Sequence, residues 1–215
     1  MIARRTLILA GVMASARPVA AALPVPSGNT LAFRLMRHGS EIGRHTVTFE
    51  SQAEALTVRV EVDARVSFLS IPVVRYRHRA LETWQGEKLA TLAAETDKNG
   101  ELEWVKAART NEGLVVRGSK TARYIAPETA FATSYWNRRM LDGPMISLED
   151  GVLLRPTVSL RRREAVRVAS GSTVAADRYA LRGAFDVDLW YDRSEAWVGL
   201  LLTAADGSEV RYERF

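Results

Sequence analysis

The sequence predicts an all-β protein, a strongly curved antiparallel sheet (half-barrel or barrel) with little helix. Three observations carry that prediction. Apolar and polar residues alternate in short runs along most of the chain, and turn residues separate those runs at regular intervals. One alternating run, Leu56 to Phe68, is longer than a flat sheet readily takes.

Residues 1–22 read as a targeting segment and stand outside the fold. Arg4-Arg5 is a basic start, Thr6 to Ala16 is uncharged and mostly apolar, and Val19-Ala20-Ala21-Ala22 offers small residues for cleavage after Ala21 or Ala22. That apolar run has eleven residues, whereas a helix needs about 20 to span hydrocarbon. A signal peptide is therefore expected, using the general secretory route or the twin-arginine route that Arg-Arg-Thr-Leu-Ile also resembles. The mature chain is expected to be a single β domain over 23–215, periplasmic or secreted and without a transmembrane span.

The first strand places Leu31, Phe33 and Leu35 on one face and ends at the turn His38-Gly39-Ser40. Ile42 to Phe49 is the second. In Leu56 to Phe68, seven apolar residues fall on one parity and six polar ones on the other, so a register slip of one residue would invert the whole strand. At about 3.3 Å per residue it would be roughly 43 Å long, and such a strand must bend, bulge or wrap. Val73 to Trp84 follows, with Val74, Tyr76, His78 and Ala80 on one face. Arg75, Arg77 and Arg79 point the other way, towards water or acids such as Glu61 and Asp63. Leu89–Asp97 and Leu102–Thr110 flank Asn99-Gly100, the strongest hairpin signal in the chain, and Leu114–Arg117 makes a seventh strand.

From Tyr124 to Leu154 the alternation stops. This segment holds Tyr135-Trp136-Asn137, the pair Arg138-Arg139 and a Gly-Pro turn at 143–144. Long irregular segments inside compact domains often serve as lids or binding loops, and residues 124–144 are expected to cover whatever the sheet encloses. One helical turn around Ser134–Arg138, with Thr133 as N-cap, is expected here. Strands then resume at Met145–Leu148, Val152–Leu160, Glu164–Val168, Asp177–Arg182, Phe185–Tyr191, Trp197–Thr203 and Glu209–Tyr212. Arg161-Arg162-Arg163 reads as a solvated hairpin end.

Composition removes several function classes. The first 22 residues hold three of the 30 basic residues and no acid, which leaves 27 against 25 and a net charge of +2. That small excess, with no basic stripe interleaved by aromatics, gives no support to a nucleic-acid partner. With no cysteine there is no disulfide, thiol nucleophile, thiolate metal site or lipidation cysteine. His38, His45 and His78 show no metal-motif spacing, and no nucleophile elbow or phosphate-cradling glycine loop occurs. Asp186 and Asp188 share a strand face beside Asp192 but read as an exposed acidic edge. No catalytic residue, metal or cofactor is expected.

Leu31–Gly43, Thr133–Asn137, and Asp188–Asp192 followed by Trp197–Leu200 together resemble a family of exported Gram-negative bacterial proteins, carried as a domain of unknown function. The likeness covers essentially the whole mature chain. The opening hairpin and the Trp-Tyr-Asp hairpin also resemble other periplasmic domains of unknown function. More distantly they resemble the lipoprotein-carrier type of curved β half-barrel, which implies lipid or lipopeptide binding by fold analogy alone. The resemblance brings no catalytic residues.

Aromatic side chains are the remaining signal. Tyr76, Trp84, Trp104, Tyr135, Trp136, Asn137 and Trp190 are the candidate ligand-binding residues. The leading expectation is a non-enzymatic envelope protein that receives an apolar or lipid-like ligand on the concave face of the sheet. The alternative is an envelope protein-interaction or structural module with a filled core, in which Trp136 plugs one end and Asn137 caps a turn.

Overall fold

The structure is a computed structural model that describes residues 23–68, 71–204 and 206–215. The expected signal peptide lies outside the described residues. Strands make up about two-thirds of the described residues, so the all-β expectation holds. The first strands form an antiparallel meander: β1 (Thr30–Arg37), β2 (Ser40–Gln52), β3 (Ala55–Phe68), β4 (Ile71–Gln85), β5 (Lys88–Lys98), β6 (Glu101–Thr110), β7 (Gly113–Gly118) and β8 (Thr121–Ala126). A connector then carries the short strands β9 (Phe131–Ala132), β10 (Met145–Ile146) and β11 (Leu153–Leu154). The chain ends in β12 (Thr157–Arg167), β13 (Thr173–Arg182), β14 (Val187–Tyr191), β15 (Trp197–Thr203) and β16 (Glu209–Arg214).

The two meanders join because β16 pairs antiparallel with β1, giving one 13-stranded sheet in the order β12–β16, β1–β8. The sheet is open, with β12 and β8 as its edges. It is also not strongly curled, which corrects the expected strong curvature and the closed-barrel option. Strand length is absorbed instead at breaks in register, among them Leu35/Met36, Val66/Ser67 and Thr83/Trp84. A bulge adds a residue on one strand and bends it locally, so a long strand need not wrap.

The parity predicted for Leu56 to Phe68 is observed in β3, with Leu56, Val58, Val60 and Val62 buried and Ala64 and Val66 half-buried. Each of the buried groups is worth about 1.5–3 kcal/mol on burial, as an upper estimate. On the opposite face Arg77 lies 3.5 Å from Asp63 and Arg79 lies 3.2 Å from Glu61, as the alternation implied. Asn99 and Gly100 both take positive φ (57° and 93°), as a tight hairpin turn requires.

Three local expectations are corrected. An eighth strand, β8, precedes the connector; it went unread because Ser119-Lys120 turns the chain with neither Gly nor Asn. Val152–Leu160 and Glu164–Val168 are not separate strands, since β12 runs through Arg161-Arg162-Arg163 with a register break between Leu160 and Arg163. These arginines are exposed in mid-strand, not at a hairpin end. Finally, the helical turn is a 3-10 turn at Arg138–Asp142 with Asn137 as its N-cap. Asn137 Oδ1 accepts from the Arg139 N–H at 3.1 Å, while the Thr133 hydroxyl accepts from the Leu148 N–H.

The connector is pinned on both flanks. On one side the Tyr124 hydroxyl donates to the Gly151 carbonyl at 2.9 Å, and Gly118 of β7 packs directly against the Asp150–Gly151 backbone. On the other, the Tyr191 hydroxyl of β14 donates to the Tyr135 carbonyl at 2.8 Å and Arg138 donates to Glu195 at 2.8 Å. Its apolar residues Trp136, Met140, Met145, Ile146 and Leu148 share one core with Val105, Leu114 and Val116 of the sheet.

A Cβ at Gly118 would stand 2.7 Å from the Asp150 carbonyl carbon and 2.8 Å from the Gly151 Cα, with no flexible side chain to give way. Gly118→Ala is therefore expected to lower unfolding stability by about 1–3 kcal/mol through overpacking. Urea titration checks this; an unchanged midpoint would mean that the connector does not bear on β7.

Candidate functional site

The connector fills one end of the space above the sheet and only roofs the other. At the filled end Trp136 is fully buried, with ring centroids 5.3 Å from Phe49 and 5.6 Å from Trp84, both edge-on. The indole N–H groups of Trp84 and Trp136 both donate to Glu82 Oε2, at 2.8 and 3.2 Å. Glu82 has no exposed surface. Burial pushes its carboxyl above the usual range, while the hydrogen bonds from the two indoles oppose that rise.

Beside this plug lies a cavity of about 810 Å3. Its floor comes from seven adjacent strands, β15, β16 and β1–β5, and its roof from Thr133, Tyr135, Ser147–Glu149 and Leu154 of the connector. The lining is mostly aliphatic, with Leu35, Val60, Val62, Val66, Leu200 and Leu202 prominent. Arg37, Arg75, Asn99 and Asp206 stand at the hairpin end of the strands and frame the mouth.

Polar groups enter the wall in one lateral row. His45 on β2 pairs across Val62 with His78 on β4, and His78 pairs with Thr96 on β5 and Thr96 with Glu103 on β6. His78 Nδ1 lies 2.9 Å from the Thr96 hydroxyl. Burial, then the nearby Arg79 and Lys98, pulls His78 down to about 4. Burial, helped by His78, pulls His45 down to about 3, and neither of its ring nitrogens has a hydrogen-bond partner. Its ring stands edge-on to Phe33, Trp197 and Tyr212.

Glu149 links roof to floor, accepting from the Tyr76 hydroxyl at 2.8 Å and from Lys98 at 2.6 Å. Lys98 also donates to the buried Glu103 at 3.0 Å, and Lys120 pairs with Glu103 from outside. Burial lowers the Lys98 pKa, but its bonds to Glu149 and Glu103 outweigh this and leave it raised.

Of the residues singled out from sequence, Tyr76 and Tyr135 line the cavity. Trp84, Trp136 and Asn137 belong to the plug, where Trp136 fills one end and Asn137 caps the 3-10 turn. Trp104 is 39% exposed on the outer face of β6. Trp190 packs with Val166, Val168, Ala176 and Val198 in a second small core and donates to Glu164 at 2.8 Å. Sequence reading missed His45, His78, Lys98, Glu149 and Tyr212 as wall residues. Strand parity signals both histidines, since His45 shares a face with Val47 and Phe49, and His78 with Tyr76 and Ala80. Nothing local signals Glu149.

Among the described residues no group of three His, Asp or Glu side chains stands close enough to hold a metal ion. No helix is long and apolar enough to cross a membrane, which says nothing of strands.

An open antiparallel sheet with a pinned cover and one hollow end defines the class of protein. The chain belongs to the family described as a domain of unknown function (DUF6134), whose match covers residues 33–214. The search of curated proteins found no match, and neither did the comparison with solved structures.

Neutral buried histidines have a consequence for acid stability. The unfolded chain takes up a proton at His45 as pH falls through about 6.5, whereas the folded chain resists until about pH 3. Stability from this residue is thus present above pH 6.5 and lost progressively below it, at about 1.4 kcal/mol per pH unit. His45→Phe is expected to flatten the slope between about pH 6 and 4 by roughly that amount, as measured by urea unfolding across pH. An unchanged slope would show that His45 titrates freely in the folded state.

Proposed function

We propose that this protein is an exported, non-enzymatic envelope protein that binds an apolar or lipid-like molecule in the cavity beside the Trp136 plug. The observation that carries the reading is the hollow itself. At about 810 Å3 it lies in the range of small-molecule sites, roughly 300–1,000 Å3. Its lining of aliphatic side chains with a few convergent polar groups is that of such sites as well. A core built only for stability would close this space, because native interiors pack with few voids larger than a water molecule. The alternative of a filled interaction module lacks that support.

The reading as a binder rather than an enzyme rests on the commitment of the titratable groups. Glu149 and Lys98 hold each other, His45 has no hydrogen-bond partner, and the Thr96 hydroxyl beside the neutral His78 is fully buried in the sheet. Export rests on the N-terminal segment, and the mature protein is expected to begin at Ala22 or Leu23; Edman sequencing of the native protein reads this directly.

Diphenylhexatriene, a fluorescent hydrocarbon with no polar atom, provides the binding test. It is expected to bind the purified protein, and Ala64→Trp, which projects a large ring from the cavity wall, is expected to weaken binding at least about tenfold by occupying the site. Equal binding by both proteins would place the dye elsewhere and remove the cavity from the function.

A further inference from the structure

The chemistry of the wall narrows the ligand class, on the condition that the cavity is a binding site. Every charged side chain in the lining already has an ionic partner. Lys98 is held by Glu149 and Glu103. Arg37 is held by Asp206 and by the Ser208 hydroxyl at 2.7 Å. Arg75 lies 3.7 Å from Asp97. An anionic group at the inner end would enter a low-dielectric space where Lys98 is already committed to two carboxylates, which is costly. The exposed arginine pairs at the mouth resist it only weakly.

Two hydroxyls are differently placed. Tyr135 in the roof and Tyr212 in the floor both line the cavity, and both rings pack on Trp197 with centroids 5.5 and 6.1 Å away. Burial raises the pKa of each, and each of the two phenols also feels the other or the same Glu149 carboxylate. They therefore stay protonated at neutral pH. Neither hydroxyl is hydrogen-bonded to another described residue, although those of the half-buried Tyr76 and the buried Tyr191 both are. Tyr135 is moreover held at φ 64°, a left-handed conformation that costs a non-glycine residue free energy. That conformation turns the Tyr135 ring towards the hollow while the next residue, Trp136, enters the core.

We propose that the ligand is an uncharged apolar molecule carrying a hydroxyl or carbonyl oxygen, which the Tyr135 and Tyr212 hydroxyls hold at the inner end of the cavity. A phenol both donates and accepts, so the pair satisfies an alcohol in both directions and a ketone as acceptor. The aliphatic wall between Val60 and Leu202 takes the hydrocarbon body.

The test is competition against diphenylhexatriene on protein first stripped of co-purifying lipid on a hydrophobic resin. Dodecanol and dodecanoate have the same chain length and differ in the charge of the head group at neutral pH. Dodecanol is expected to displace the dye at least about tenfold more effectively, because the carboxylate finds no free cation. Tyr135→Phe and Tyr212→Phe keep each ring and its packing, and each is expected to weaken dodecanol by about three- to tenfold relative to diphenylhexatriene, which has no oxygen to lose. If dodecanoate equals or exceeds dodecanol, or if both Phe variants bind dodecanol as tightly as the wild type, the assignment of ligand class is overturned and the cavity reading stands. If neither dye nor competitor binds, both fall.

Discussion

Alternation of apolar and polar side chains commits one face along most of a 13-stranded sheet to burial, and the connector packs onto it. Between residues 127 and 156 the backbone leaves the sheet, crosses that face and returns. Its course is fixed by its own small three-stranded sheet, β11-β10-β9, and by contacts at its two flanks, as Gly118 and Tyr124 hold one side and Tyr191 and Glu195 the other. Where the connector presses down, the interior is solid, with Trp136 edge-on to Trp84, Phe131 tilted against Trp84, and Glu82 fully buried beneath the two indoles. Where it bridges between its anchors, the sheet below stays uncovered by side chains and the hollow remains.

Burying Glu82 would be unfavourable without the two indole N–H groups that converge on one of its oxygens. The arrangement ties β4 to the connector through a polar contact inside an apolar plug, and so fixes where the plug sits. Lateral pairing across β2, β4, β5 and β6 likewise brings His45, His78, Thr96 and Glu103 into one row although they are far apart in sequence. Two ionised residues near that row, Lys98 and Glu149, neutralise each other across the gap between sheet and roof. The wall is thereby polar at defined points without carrying an unpaired charge.

Much of the sheet was legible from side-chain parity. The faces of β3, the Asn99-Gly100 hairpin, the arginines facing Glu61 and Asp63, and Trp197–Thr203 all follow from local pattern alone. The pairing of β1 with β16 was not legible, because it joins the two ends of the domain through contacts that no local window contains. Site residues were harder for three separate reasons. Tyr135 and Trp136 look equivalent in sequence, yet a left-handed Tyr135 sends one ring to the cavity and the other to the plug. Trp190 lies on a strand buried on both faces, where parity does not say which side is which. Trp104 faces outward because Glu103, buried and paired with Lys98 and Lys120, takes the inward position on β6.

The central physical claim is that the space roofed by Tyr135 and Leu148 is a persistent apolar hollow rather than a gap that closes on packing. Diffraction from crystals pressurised with xenon measures this most directly, since the gas enters apolar cavities and scatters strongly. Xenon bound between Val62 and Leu200 is the predicted result. An interior free of xenon, with side chains from the roof packed down onto β2 and β3, would contradict the account.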